Sequence, residues 1–454
     1  MPVTDPAAPI ADETPSVATT GPGTSERRKS PARLLSRRRV LELAGLTAAG
    51  VAVGGLGTLG IERVTGPGPG ADAATAPDLN GIEPFHGVHQ AGIATVAQER
   101  LVTVAFDITA TRREDIRTLL QAWTTAAEKL TAGQPVGAIA GATEAPPGDT
   151  GEATDLGAAH LTLTVGFGPT FFESGGVDRF GFAARRPAPL VDLPTFAGDE
   201  LDPARSGGDI LVQACADDAQ VAYHAARNLA RIGRGTVVVR WAQLGFGRTS
   251  TTSIHQATPR NLMGFRDGTN NLRAEDAAGL AQHVWVGAGD DPAWMAGGTY
   301  AVVRRIRMLI EIWDRSSLGD QEATIGRLKV TGAPIGRTAE NDPVPLDDRA
   351  ADGSLLVPRD AHVRLSAPSD NGGTKLLRRG YSFTDGLDPR TGELDAGLFF
   401  VCFQRDPRSQ FIPIQQRLAG SDALNEYIRH TGSGIYAVPP GVQPGGMLGA
   451  GLFD

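Results

Sequence analysis

Three residues in the second half of the chain are of types that acid–base and charge-stabilising chemistry uses. Asp267 lies in the segment Gly-Phe-Arg-Asp-Gly-Thr-Asn-Asn, His362 in Asp-Ala-His-Val-Arg-Leu, and Arg378 in Leu-Leu-Arg-Arg-Gly-Tyr. A carboxylate can accept and return a proton, an imidazole can bind a metal, and a guanidinium is always charged. Taken singly, each residue also has an ordinary structural explanation, such as the tight turn that Asp-Gly favours. Their combination is therefore more informative than any one of them.

Several common catalytic and metal-binding motifs do not occur in the sequence. It contains no H-E-x-x-H, C-x-x-C, G-x-S-x-G or G-x-x-x-x-G-K-[ST] pattern, and each of these carries its own chemistry. His86 and His89 are spaced as a metal-binding pair can be. No third ligand lies close to them in sequence, and Pro84 and Gly87 indicate a loop. We therefore expect no metal site at these two histidines.

The three segments, in this order and with the apolar run at residues 397–403, resemble the dye-decolorizing peroxidase family. They are most similar to its twin-arginine-exported subgroup, some members of which are linked to iron uptake. Residues 83–93, 303–308 and 312–315 also match the family's pattern. The resemblance extends from about residue 83 to residue 454, which is essentially the whole chain after its N-terminal segment.

This resemblance implies one haem b per chain, with His362 as the proximal iron ligand. Neutral imidazole is the axial donor that peroxidases use. Asp267 occupies the position of the distal acid and Arg378 that of the distal arginine. Asp406 is a candidate acceptor for the second nitrogen of the proximal imidazole, since such ligands usually need one.

The resemblance also implies a set of haem contacts around these residues. Leu398 and Phe400 alternate along a predicted strand and should both face the distal side. The family often has Asn and Arg after the histidine segment, whereas residues 366–369 here include no arginine. The partner of the haem propionates is therefore open among Arg266, Arg364 and Arg379. The full set of implied contacts is Gly268, Thr269, Asn270, His362, Ala367, Pro368, Ser369, Arg378, Leu398 and Phe400.

The residue types predict a peroxidase mechanism. Asp267 would take a proton from hydrogen peroxide and return it to the leaving oxygen, and Arg378 would stabilise the negative charge that develops. Electrons would then come one at a time from a bulky phenol or dye, with Trp and Tyr side chains as candidate relays. An aspartate stays ionised at lower pH than a histidine, so dye oxidation should be fastest in mildly acidic solution.

Two other classes of function are compatible with these residues. One is iron release from haem, or ferrous-iron oxidation, in an uptake system whose components would be partners. The other is a non-catalytic haem carrier or sensor, which has no use for a distal acid and arginine. The oligomeric state stays open.

Hydrophobic periodicity predicts the elements that position these residues. In the first half, short β-type runs and two helical patterns follow one another in the order β-α-β-β-α-β, which is the ferredoxin-like order. A Thr-x-x-Glu capping box at 111–114 should open the first helix. The predicted strands are 101–106, 161–167, 210–215 and 236–241, and the helices are 116–130 and 218–232.

The second half looks like a looser copy of the same pattern. An acidic insertion at 340–352 interrupts it. The fold class is therefore α+β, with two ferredoxin-like halves at 77–250 and 251–454 and haem in the C-terminal half. The predicted strands are 300–313, 361–365, 376–383 and 398–403, with helices at 317–327 and after 406.

Composition excludes one class of partner. The net charge of −8 is concentrated after residue 73, where 35 Lys and Arg face 44 Asp and Glu. Nucleic-acid binding needs clustered basic residues, so we expect no nucleic-acid partner. The two cysteines, Cys215 and Cys402, lie in apolar runs and should be buried core residues.

Residues 1–73 have the features of a twin-arginine signal peptide. Residues 27–39 hold seven basic side chains and no acidic one, and residues 43–61 carry no charge. The pair Arg37-Arg38 precedes a weakly apolar run rich in glycine, and Ala71-Asp72-Ala73 is a suitable cleavage site. We expect export to the periplasm, cell wall or medium, with no stable membrane span after processing. The alternative is a retained membrane anchor.

Overall fold

The computed structural model describes residues 78–290 and 292–454, so the predicted signal peptide lies outside the described residues. Its strands are β1 Arg100–Ile108, β2 Thr162–Phe167, β3 Ile210–Ala216, β4 Val237–Arg248, β5 Thr299–Met308, β6 Leu377–Arg378, β7 Tyr381–Leu387, β8 Leu394–Gln404 and β9 Ile428–Val438. Its α-helices are α1 Arg113–Thr131, α2 Pro169–Phe172, α3 Ala219–Ile232, α4 Ala277–His283, α5 Ile310–Trp313, α6 Leu318–Ile325, α7 His362–Leu365 and α8 Phe411–Ser421.

The strands of the two halves repeat one order. In the first half β2, β3, β1 and β4 are neighbours, and in the second half β7, β8, β5 and β9 are neighbours. Both follow the antiparallel ferredoxin-like arrangement, in which the first strand lies between the third and the fourth. The predicted α+β class with two ferredoxin-like halves is confirmed.

The two four-stranded sheets join into a closed ring. A bridge between Phe167 of β2 and Ala437 of β9 connects one pair of edges, and pairing of β4 with β7 connects the other. One apolar cluster, which includes Leu101, Tyr381 and Phe399, fills the interior of this barrel. A larger cluster packs helices α1 and α3 against the outside of the first half.

In helix α1 the predicted apolar face is confirmed, whereas the predicted N-terminal cap is not. Its predicted apolar face is buried throughout, from Ile116 to Leu130. The predicted capping box is wrong, because the helix begins one residue later than that motif requires. Arg112 is at the N-cap position, where no side chain caps the helix.

Both cysteines are fully buried and unpaired, as expected from their apolar surroundings. Within residues 78–290 and 292–454, no helix has the length and apolarity needed to cross a bilayer.

Candidate active site

A cavity lies on the face of the β5–β8 pair that points away from the barrel interior. The register places Arg304 opposite Phe400 and Ile306 opposite Leu398, and all four side chains line the cavity. Alternation along each strand puts them on one face. Helix α8, helix α7 and the segment 261–270 supply a large part of the remaining wall.

His362, the expected proximal ligand, lies in the wall of this cavity. Its Nδ1 lies 2.6 Å from Oδ2 of Asp422, a carboxylate that is 3% exposed. Burial lowers the pKa of His362, but the charge and hydrogen bond of Asp422 outweigh it and raise the pKa above its ordinary value. Because Nδ1 donates to Asp422, Nε2 is the nitrogen left to bind a metal.

Two expectations about this histidine are wrong. Residues 361–365 were expected to form a strand, but His362 begins a single helical turn, α7. Asp406 is not its partner, because that carboxylate pairs with Arg408. Asp422 follows helix α8 and also caps the next turn by accepting a bond from the Leu424 N–H. The Ser-Asp-Ala-Leu sequence indicates such a cap. Nothing in the local sequence, however, connects Asp422 to His362, sixty positions earlier.

Asp267 and Arg378, the expected distal residues, form an ion pair in the wall of the same cavity. Arg378 Nη1 donates to Asp267 Oδ1 over 2.8 Å, and Asn261 donates to Oδ2 over 3.2 Å. The carboxylate and the guanidinium are partly exposed, at 17% and 29% of their side-chain surfaces. The two distal residues, 111 positions apart in the chain, are thus brought together.

Backbone contacts fix the position of this pair. Asn271 accepts a bond from the Arg378 N–H and donates one to the Arg378 carbonyl, both over 2.8 Å. Gly268 has a φ of +94°, and a Cβ there would lie 2.7 Å from the Cα of Ser250. Only glycine adopts this turn without strain. Asn271 was missed by sequence reasoning, although it directly follows the Asp-Gly-Thr-Asn segment.

Most of the predicted cofactor contacts surround the cavity. Ser369 is the exception, since it is not among the described residues that form the wall. Those that do line it are Gly268, Thr269, Asn270, His362, Ala367, Pro368, Arg378, Leu398 and Phe400.

The three arginines considered as propionate partners differ in their availability. Arg364 donates to the backbone carbonyls of Leu346, Val357 and Pro358, and Arg379 is buried against the carbonyls of Thr95 and Val96. Neither lines the described cavity. Arg266 does line it, but its charge is compensated by Glu340.

Arg327 is a further cavity residue that sequence reasoning missed. It is 8% exposed and lines the cavity. Its hydrogen bonds go to the carbonyls of Gly332 and Glu340, and no described carboxylate lies within ion-pair distance. Burial lowers its pKa, as expected for a cation removed from water. The charge of Glu340 offsets this cost of burial only in part, so an anionic group bound in the cavity would stabilise the buried cation further.

The donor set therefore fits haem. Among the described residues, no group of three or more His, Cys, Asp or Glu side chains is arranged to hold a metal ion. A single imidazole suffices when a porphyrin supplies the other ligands. Arg327 can compensate a propionate, and the apolar side chains of β8 can contact the ring. His86 and His89 make their contacts elsewhere. His86 pairs with Glu128, and His89 stacks on Trp285.

Family models match both halves of the chain. The N-terminal domain of Dyp-type peroxidases matches residues 90–247, and the C-terminal domain matches residues 258–443. The second match contains Asp267, His362 and Arg378.

Whole proteins are similar over nearly their full length. A dye-decolorizing peroxidase of Thermobifida fusca is 37% identical over 91% of this chain and 96% of its own length. A deferrochelatase of Escherichia coli K12 is 36% identical over 90% and 94%. The crystal structure of a DyP-type peroxidase from Streptomyces coelicolor has a TM-score of 0.76 at 41% identity and covers 84% of this chain and all of its own. Ferric DtpA from Streptomyces lividans gives the same score and coverage at 42% identity. The chain belongs to the Dyp-type peroxidase family.

Proposed function

We propose that this chain is a haem-dependent peroxidase that reduces hydrogen peroxide and oxidises bulky phenolic or dye-type donors by single-electron steps. One observation carries the proposal: His362, oriented by Asp422, shares a single cavity with the Asp267–Arg378 pair. A proximal ligand and a distal acid–base pair together are what peroxide reduction needs.

The protein side of the mechanism follows from these contacts. Haem held by His362 would supply the redox-active iron that peroxide reduction requires. Asp267 accepts a proton from the peroxide and returns it to the departing oxygen. Arg378 holds a fixed positive charge 2.8 Å from this carboxylate and stabilises the negative charge that develops. Leu398 and Phe400 limit water on this side, which strengthens both effects.

The direct test is a haem titration followed by a peroxide assay. The purified protein should bind one haem per chain with a Soret band and then oxidise a bulky dye only when peroxide is present. A protein that binds haem but does not accelerate dye oxidation would overturn the proposal in favour of a carrier.

Release of iron from haem is the second candidate function. The specific observation is that several relatives, at about 36% identity, are deferrochelatases. Iron-uptake components would then be partners. Anaerobic incubation of the haem-loaded protein with a reductant and an iron chelator distinguishes the two functions. Fluorescent, iron-free porphyrin would support this candidate, whereas intact haem together with dye oxidation would exclude it.

We further propose export by the twin-arginine route. The proposal is supported by the Arg37-Arg38 pair, the uncharged run at 43–61 and the Ala71-Asp72-Ala73 site. Changing both arginines to lysine should trap haem-loaded protein in the cytosol. Unchanged export in a strain without the twin-arginine translocase would contradict it.

A further inference from the structure

The distal segment 258–270 is bonded to a long insertion between α6 and α7. Arg260 donates to the carbonyls of Lys329 and Val330 over 2.5 and 2.8 Å. A second connection is made by Glu340, which lies in the insertion. Glu340 Oε1 accepts a 2.9 Å bond from Thr269 Oγ1, and Oε2 pairs with Arg266.

Glu340 therefore contacts residues on both sides of Asp267 in the chain. Its side chain is 14% exposed. Burial alone would raise the pKa of Glu340, but hydrogen bonds from Thr258 and Thr269 and the charge of Arg266 hold it below its ordinary value. A carboxylate is thus kept ionised among donors that all belong to the distal segment.

Glu340 also balances part of the positive charge around the segment that carries Asp267. Arg378 is already paired with Asp267, and Arg266 directly precedes Asp267 in the chain. Arg327 lies close by and donates to the Glu340 carbonyl over 2.9 Å. Without Glu340, the positive charge of Arg266 would lose its paired carboxylate in the segment that carries Asp267.

From these contacts we infer that Glu340 is a positioning residue for peroxide reduction, which holds the turn that carries Asp267 and compensates the charge of Arg266. This inference rests on the proposed peroxidase function. Glu340 acts through Arg266 and Thr269, and it does not itself contact Asp267. The insertion is then part of the active site, although it lies outside the ferredoxin-like pattern.

The test separates the peroxide step from the donor step in haem-loaded protein. Glu340→Ala should slow peroxide reduction about 10-fold or more, because a misplacement of about 1 Å in a reacting group can cost about 100-fold. The rate constants for donor oxidation should stay at wild-type values, because those steps do not use Asp267. Glu340→Gln preserves the shape of the side chain but not its charge. Its rate of peroxide reduction should lie between those of the wild type and Glu340→Ala.

Amide hydrogen exchange provides a readout that does not depend on turnover. In haem-free Glu340→Ala, exchange should accelerate in residues 261–271 and remain unchanged in α1. Asp348→Asn is the matched control, because Asp348 lies in the same insertion and pairs with Arg337 on the surface. It should leave both the exchange and the peroxide rate unchanged.

Each contrary outcome has its own meaning. Wild-type peroxide rates in Glu340→Ala would overturn the positioning role and leave the peroxidase function intact. Loss of haem with unchanged exchange at 261–271 would also overturn it, since Glu340 would then act through Arg327. A wild-type protein that does not reduce peroxide would instead refute the proposed function.

Discussion

The two halves of the barrel share a strand order but cover their outer faces differently. In the first half, α1 and α3 pack directly on β1 and β3, and apolar side chains such as Val104, Trp123 and Val212 fill the space between them. In the second half, the corresponding face of β5 and β8 carries Arg304 and Phe400 and lines a cavity. One topology thus supports a packed core on one side and a cofactor site on the other.

The difference originates in the connections between strands. In the first half about 50 residues separate β1 from β2 and include the 19-residue helix α1, whereas about 70 residues separate β5 from β6 and the longest α-helix among them has 8 residues. That long connection supplies Arg327, Glu340 and His362, so the second half places polar groups where the first half places apolar ones. In this fold, the segments that cover the sheet determine whether it carries a functional site.

The largest effect is expected at His362, the proposed iron ligand in the second half. His362→Ala removes the cavity imidazole that hydrogen-bonds to Asp422, so the protein should lose most of its bound haem and essentially all peroxidase activity. The Soret band after haem titration measures this. A variant with a normal Soret band and full activity would show that the iron ligand lies elsewhere.

An intermediate effect is expected at Asp422, which orients His362. Asp422→Asn keeps the shape but loses the charge that stabilises the Nδ1 proton, and such changes cost about 10- to 100-fold in affinity or activity. Haem affinity and turnover per bound haem should be measured separately. Asp406→Asn is the matched control, because Asp406 pairs with Arg408 instead and its loss should leave both quantities unchanged.

The smallest effect on activity is expected in the packed half. Leu120 is fully buried in the first-half core, so Leu120→Ala should lower the free energy of unfolding by about 2–5 kcal/mol. The peroxide rate per bound haem, measured well below the melting temperature, should not change. A large fall in that rate would mean that the two halves are not as separate as the comparison implies.

Sequence reasoning succeeded where the information was local or carried by family motifs. The buried face of α1 and the strand that carries Leu398 and Phe400 follow from periodicity. Asp422 and Arg327 were missed because their roles depend on contacts between distant parts of the chain. His362 was placed in a strand, since four residues of one helical turn give no periodicity to read.

The central claim is that Asp267 and Arg378 act together in one distal site. Stopped-flow peroxide reduction by the wild type, Asp267→Asn and Arg378→Leu tests it most directly. Asp267→Asn should slow the reaction about 100-fold or more, because it removes the group that accepts the peroxide proton, and Arg378→Leu should slow it by a similar order. An Asp267→Asn protein with the wild-type rate would contradict the account and leave Arg378 as the sole distal catalyst.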